Sequence, residues 1–85
     1  MPIIKLYANL RTIADTKELS ITGSNLSGVL NDLTKRIPAL EGVILEEGQI
    51  RPHFVITING HNVTKLDASV TEQDLIAIFP PIAGG

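Results

Sequence analysis

A run of five apolar residues, Leu75-Ile76-Ala77-Ile78-Phe79, lies near the end of this 85-residue chain. Successive side chains of a strand point to opposite faces of its sheet, so this stretch would be apolar on both faces. A strand of that kind belongs in the middle of a sheet rather than at its edge. Two prolines follow and end it, because proline cannot donate to a strand ladder. We therefore expect residues 75–79 to form the central strand of a sheet.

Two further strands are predicted in the first quarter of the chain. Residues 3–7 are rich in β-branched and aromatic side chains, which favours a strand. Residues 17–22 alternate between polar and apolar, with Leu19 and Ile21 expected to point inward. The connection between them, residues 8–16, is long for a hairpin loop, and we expect it to hold a short turn of its own.

The middle of the chain contains the one helix that the pattern indicates strongly. Its apolar residues recur at helical spacing and form one stripe, made of Leu26, Val29, Leu30, Leu33 and Ile37. Ser24 or Asn25 suits the N-cap, and Pro38 ends the helix because the residue before a proline is pushed out of the helical region. Gly28 lies inside the helix, where we expect it to allow a close approach to the sheet.

After a less regular stretch at residues 39–52, the pattern becomes that of a sheet again. Residues 54–58 predict a strong strand, and Asn59-Gly60 suits a type I′ turn, so a tight hairpin should return through Val63. The order of elements predicts an α+β fold with a mixed sheet of four or five strands and one main helix. The last strand should lie parallel beside the first. This is the ubiquitin-like β-grasp arrangement, expected over residues 1–79.

Composition excludes several classes of function. A chain of 85 residues can build one core, so we expect a single domain. The absence of cysteine removes disulfides, thiolate nucleophiles and cysteine-based metal sites. A net charge of −2 with scattered basic residues argues against nucleic acid as a partner. No apolar run approaches the roughly 20 residues of a membrane helix, and no signal peptide is evident, so a cytoplasmic protein without a membrane partner is expected.

No catalytic or metal-binding set is found in the sequence. His53 and His61 are the only histidines, and both are expected to be surface residues of the hairpin region. Glu46 and Glu47 are adjacent and should point apart, which favours a solvated turn over a carboxylate pair. An independent enzyme is therefore the weakest hypothesis, and we assign no catalytic residue and no metal ligand.

Six residues follow the last predicted strand, and they form an extended tail, Pro80-Pro81-Ile82-Ala83-Gly84-Gly85. The two prolines favour the stiff polyproline II form, and six extended residues reach on the order of 20 Å. Ile82 offers an apolar anchor for a partner. Gly84 and Gly85 lack a Cβ atom, so a narrow channel can close around their backbone. We expect a flexible Gly-Gly tail at residues 80–85 that carries the Gly85 carboxylate into another protein.

These features resemble a known family. Residues 75–85, residues 6–14 and the Ile58-Asn59-Gly60 hairpin are similar to the corresponding parts of ubiquitin-like sulfur carriers of the MoaD and ThiS type. MoaD is the small subunit of molybdopterin synthase, and many archaeal ubiquitin-like modifier proteins also resemble this chain. The resemblance covers nearly the whole chain and is weakest over residues 40–51.

The resemblance implies a cycle in which this protein is a cosubstrate. An E1-like enzyme would use ATP to adenylate the Gly85 carboxylate, and a sulfur donor would convert it into a thiocarboxylate. The pathway that the resemblance favours for this sulfur is molybdopterin biosynthesis. Catalysis would lie on partners such as the large subunit of molybdopterin synthase, and no cofactor would be bound permanently. The tail residues Pro80, Pro81, Ile82, Ala83 and Gly84 would lie in the partner's channel. Phe79 and Arg11 are candidates for the partner surface.

Two other functions stay open at this stage. The same tail is used in relatives to modify lysines of target proteins or to supply sulfur for tRNA thiolation. Alternatively, the chain is a β-grasp adaptor that binds through its sheet and has an idle tail. Deletion of Gly84 and Gly85 separates these classes, because an adaptor keeps its activity and a carrier loses it.

Overall fold

The computed structural model describes residues 1–81, which contain seven strands, two α-helices and one 3₁₀ turn. The strands are β1 (Ile3–Leu6), β2 (Glu18–Ser20), β3 (Leu45–Glu46), β4 (Gln49–Ile50), β5 (Val55–Ile58), β6 (His61–Val63) and β7 (Leu75–Phe79). The helices are α1 (Asn9–Ala14) and α2 (Leu26–Arg36), and the 3₁₀ turn spans Pro38–Leu40. A mixed five-stranded sheet has the order β2-β1-β7-β5-β6, and β3 and β4 form a separate hairpin. The predicted β-grasp fold is confirmed.

Strand β7 lies in the middle of the sheet, as its sequence predicted. It runs parallel to β1, with Ile76 opposite Ile4, and antiparallel to β5. Ile76 and Ile78 point into a core that also contains Leu33. The opposite face of β7 carries Leu75, Ala77 and Phe79, and no helix within residues 1–81 packs on it. The strand is therefore apolar on both faces although only one of them lies against the core.

Helix α2 covers the core face of the sheet. The side chain of Asn25 caps it, because its Oδ1 atom accepts a hydrogen bond from the Gly28 N–H at 2.8 Å. Our expectation for Gly28 itself is wrong. A Cβ atom there would lie 3.6 Å from the Cα of Gly23 and 3.3 Å from Asn25 Oδ1, so Gly28 faces the loop before the helix rather than the sheet.

The regions for which the sequence made no clear prediction contain short helices and strands. The connection after β1 forms α1, a helix of six residues, where only a short turn was expected. The irregular stretch between α2 and β5 forms the 3₁₀ turn and the β3–β4 hairpin, and it contributes Leu40 and Ile44 to the core. Strands β1 and β2 are shorter than the predicted ranges 3–7 and 17–22. Ile21 is nevertheless buried, and its N–H donates to the Pro2 carbonyl at 3.0 Å.

The hairpin between β5 and β6 is tied to the start of β7. Asn59 and Gly60 have φ angles of 52° and 84°, as a type I′ turn requires. The Asn59 side chain donates to Asp74 at 2.9 Å and accepts from the Leu75 N–H at 2.9 Å. The Thr71 N–H also donates to the Asp74 carboxylate, and this bond is the main reason why the pKa of Asp74 lies below its usual value. These bonds fix the end of β7 that is farther from the tail.

None of the helices formed by residues 1–81 has the length and apolar character that crossing a membrane requires.

Candidate functional site

The predicted tail leaves the sheet at the end of β7. Pro80 is half-buried against the domain and Pro81 is exposed. The remaining tail residues, to which we assigned the reactive carboxylate and most of the partner contacts, lie outside the described residues; they are Ile82, Ala83, Gly84 and Gly85. Their assigned roles stay predictions. What the structure describes is the surface from which the tail emerges.

An aromatic pair lies beside the start of the tail. The rings of Tyr7 and Phe79 stack with their centroids 4.4 Å apart and their planes inclined by 17°. The parallel register explains this contact. Leu6 of β1 lies opposite Ile78 of β7, and the residues that follow them, Tyr7 and Phe79, both point to the other face of the sheet. Phe79 therefore belongs to the open face of the sheet and not to the core. Its role in partner binding stays a prediction.

Arg11, the second candidate for partner contact, lies next to the same pair. It is exposed on α1, its Nε atom donates to the Leu6 carbonyl at 2.9 Å, and its guanidinium carbon lies 5.3 Å from the Tyr7 ring centroid. This distance is within the range of a cation–π interaction. Tyr7 thus brings the two predicted surface residues together, although our reading of the sequence gave Tyr7 no functional role.

Two open grooves flank the base of the tail. One has a volume of about 610 Å³ and is lined by Tyr7, Ala8, His53, Val55, Phe79, Pro80 and Pro81. The other has a volume of about 640 Å³ and lies between the tail and the loop before β5, with Arg51, His53 and Phe54 among its lining residues. His53 borders both grooves. It is exposed, as predicted, but it lies in this loop and not in the β5–β6 hairpin.

Beyond the aromatic pair, the open face of the sheet carries further apolar side chains, with Lys5 and Thr57 between them on either side of Ala77. Ile3, Val55 and Leu75 are exposed on it, and they come from three different strands. Ile3 lies opposite Leu75 at one end of β7, and Val55 lies opposite Phe79 at the end that leads into the tail. Exposed apolar side chains grouped in this way on a small protein mark a surface where another molecule binds. The tail therefore emerges beside a surface that is suited to contact with a protein.

The described residues contain no arrangement that suggests independent catalysis. Within residues 1–81, no three His, Cys, Asp or Glu side chains lie together as a metal site would require. The pKa of Asp32 lies below its usual value chiefly because the Thr22 N–H donates to its carboxylate. That carboxylate also pairs with Arg36 at 2.9 Å and accepts from the Thr22 hydroxyl, so it joins the loop after β2 to α2. Asp32 and Asp74 both accept hydrogen bonds from nearby backbone N–H groups, and neither lines the two grooves beside the tail.

Comparison with known proteins agrees with this geometry. A family model described as the ThiS family matches residues 4–85. Small archaeal modifier protein 3 of Haloferax volcanii is 28% identical over 88 residues, which cover 96% of each chain. The molybdopterin synthase sulfur carrier subunit of Arabidopsis thaliana is 29% identical, with 96% of this chain and 80% of that protein covered. The solution structure of small archaeal modifier protein 1 from Methanosarcina acetivorans is 37% identical, with a TM-score of 0.88 and coverage of 99% and 95%.

These matches extend over nearly the whole chain in both sequence and structure. They include residues 40–51, where the resemblance noted from the sequence was weakest. The names of these relatives describe small modifiers and a sulfur carrier subunit rather than catalysts, which agrees with our expectation of a carrier that is not itself an enzyme. The chain belongs to the ThiS family, the group of ubiquitin-like proteins that includes sulfur carriers and small archaeal modifiers.

Proposed function

We propose that this protein is a sulfur carrier whose reactive group is the carboxylate of Gly85. The observation that supports this most directly is the family match, which continues through Gly84 and Gly85. The tail also begins at an exposed apolar surface, where a partner can hold the domain while the tail enters its active site. An E1-like enzyme would activate the carboxylate, and the sulfur would serve molybdopterin biosynthesis.

The chemistry that we propose accounts for the use of ATP. A carboxylate is a poor electrophile, so one of its oxygens first attacks the α-phosphorus of ATP and pyrophosphate leaves. The terminal sulfur of a persulfide donor then attacks the acyl carbon and displaces AMP. A thiol cleaves the resulting acyl disulfide, which leaves a thiocarboxylate on Gly85. The carrier has no cysteine, so this group supplies the nucleophilic sulfur that its own side chains cannot.

The domain contributes binding and orientation to these steps. Pro80 and Pro81 restrict the backbone at the start of the tail, which lowers the entropy lost when the tail is bound. Two glycines at the end permit an approach that any side chain would block. The ATP and the catalytic side chains belong to the activating enzyme in this proposal, and the cytoplasm remains the predicted location.

A second candidate function uses the same carboxylate. Two of the relatives are small archaeal modifier proteins, which favours conjugation to lysines of target proteins as an alternative fate of the activated tail. In that case a lysine amine attacks the acyl carbon and AMP leaves, which forms an isopeptide bond. Sulfur supply for tRNA thiolation requires the same thiocarboxylate as molybdopterin synthesis. An adaptor role without tail chemistry is the third alternative.

Intact mass analysis of the protein from its own cells tests the proposal. We expect a fraction of the untagged protein to be heavier by the replacement of one oxygen with sulfur, and a variant that lacks Gly85 should show none. Lysines of other proteins that carry a C-terminal peptide of this protein, beginning at Leu66 after tryptic digestion, would assign the modifier function instead. If neither species is found while the adenylating enzyme and sulfur donor are present, the adaptor alternative is favoured.

A further inference from the structure

Three basic side chains meet at one corner of the domain. Lys5 of β1, Arg11 of α1 and Lys17 before β2 line a recess of about 230 Å³ together with Tyr7 and Glu18. The backbone brings them together, since the Leu6 N–H donates to the Lys17 carbonyl at 2.9 Å and Arg11 is held against the Leu6 carbonyl. The fold therefore assembles a basic corner from residues that are scattered in the sequence.

This basic corner is only partly neutralised, since Glu18 lies opposite Lys5 in the pairing of β1 with β2 and faces three basic residues alone. The protein has a net charge of −2, yet three of its seven basic residues lie here. Glu18 is the one carboxylate that lines the recess. The salt bridges formed within residues 1–81 join Arg36 to Asp32 and Arg51 to Glu46, so none involves the three basic side chains of this corner. The recess therefore keeps an excess of positive charge over negative charge that another molecule can use.

The basic corner is continuous with the apolar surface at the base of the tail. Tyr7 lines both the basic recess and the groove that reaches Phe79 and Pro81. Three of the nine acidic residues of the protein lie together elsewhere. Glu41, Glu46 and Glu47 line a different recess beside α2, on the side of the sheet that the helix covers. The surface next to the tail thus combines positive charge with apolar contact area, in contrast to the helix side.

We propose that the basic corner steers and orients an acidic docking surface of the adenylating enzyme. This inference rests on the proposed function. Carboxylates of the enzyme would face Lys5, Arg11 and Lys17, while its apolar groups cover Tyr7 and Phe79. Complementary charge of this kind raises association rates by about 10-fold to 1,000-fold at low ionic strength and fixes the orientation of the complex. The orientation matters because the tail must enter the nucleotide site from one direction.

The test compares two pairs of charge-neutralising substitutions. Lys5→Gln with Lys17→Gln removes two charges from the basic corner, and Lys35→Gln with Lys65→Gln removes two charges from other parts of the protein. We expect association of the first variant with the adenylating enzyme to be about tenfold slower at low salt, and the difference to vanish near 1 M salt, where the screening length is about 3 Å. The control variant should associate within about twofold of the native rate.

Three results would overturn the inference. Equal slowing of both variants would show that only net charge matters, and unchanged association of the first variant would exclude the corner. Self-association of the native protein that is lost when Lys5 and Lys17 are replaced would assign the face to a second copy of this chain.

ATP–pyrophosphate exchange at a saturating concentration of the native protein separates this inference from the function on which it rests. Exchange by native protein supports the carrier function whatever the salt dependence, and its absence would contradict both.

Discussion

Both faces of the central sheet carry large apolar side chains, but the two faces differ in how far these side chains are buried. On the inner face, Ile4 and Ile76 are 0% exposed and belong to the core beneath α2. On the outer face, Ile3 and Leu75 are 37% and 39% exposed, and Val55 is 43% exposed. Burial stabilises the fold by roughly 25 cal/mol per Å² of apolar surface, so the inner face supplies most of this stabilisation. The outer face keeps its large apolar side chains partly in contact with water, and our proposal assigns this face to a partner.

The largest expected effect is at the inner face. Leu33→Ala should lower the free energy of unfolding by about 2–5 kcal/mol, because Leu33 is fully buried and its truncation leaves a cavity. Leu75→Ala removes the same atoms from the outer face and is the matched control. Denaturant titration of both variants provides the comparison. Equal decreases in the free energy of unfolding would show that the two faces contribute equally to stability, which would contradict this comparison.

The next effect concerns the approach of α2 to the loop before it. Gly23 has a φ of 152°, and a Cβ atom there would lie 2.6 Å from the Val29 nitrogen. We expect Gly23→Ala to cost at least about 1–3 kcal/mol, as a residue forced into a glycine-only conformation does. Gly28→Ala should have a smaller effect, because the gain of up to about 1 kcal/mol from the better helix former is opposed by a Cβ atom 3.3 Å from the capping oxygen of Asn25. Thermal unfolding of the two variants measures this. A clear decrease in melting temperature for Gly23→Ala and a smaller change for Gly28→Ala would agree with this packing, and equal decreases would contradict it.

A smaller effect on stability is expected at the aromatic pair. Phe79→Ala removes the stacking on Tyr7, which is worth about 0.5–1.5 kcal/mol beyond the lost area. Its neighbour Ile78 points into the core, and Ile78→Ala should cost about 2–5 kcal/mol. Binding to the activating enzyme should show the reverse ranking in samples that are kept folded. A binding defect in Ile78→Ala as large as that of Phe79→Ala would place the partner surface elsewhere.

The smallest effect is expected for the end of the tail. Deletion of Gly84 and Gly85 should leave the melting temperature nearly unchanged, because exposed termini make few contacts with the domain. Differential scanning calorimetry of the shortened and native proteins measures this. A large decrease would mean that the tail packs into the domain, which contradicts a tail that serves the partner.

The sequence predicted the elements that have a clear period or an unbroken apolar run. The five-residue apolar strand and the stripe of α2 were both located correctly, because burial imposes the pattern directly on the sequence. Helix α1 was missed because six residues make fewer than two turns, and strands of two residues, such as β3, have no measurable alternation. Short elements of this kind are held by tertiary contacts rather than by local preference.

The candidate site was predicted in part, and the remainder depends on pairing between distant segments. Phe79 and Arg11 were singled out from the sequence, but the contact of Tyr7 with both requires the parallel register of β1 and β7. The basic corner was also not predicted. Lys5 and Lys17 are well separated in the sequence, and they become neighbours in space only because β2 pairs with β1. Residues brought together by topology leave no local signal in a single sequence.

The central claim is that the Gly85 carboxylate is the reactive group, and ATP–pyrophosphate exchange with the E1-like enzyme tests it most directly. The native chain is compared with a form extended by one alanine, which should fold normally. The extension moves the carboxylate away from the nucleotide, and a displacement of about 1 Å can reduce the rate on the order of a hundredfold. We predict exchange with the native end and little or none with the extended one. Equal exchange by both forms, or none by the native form, would contradict the assignment of a sulfur carrier.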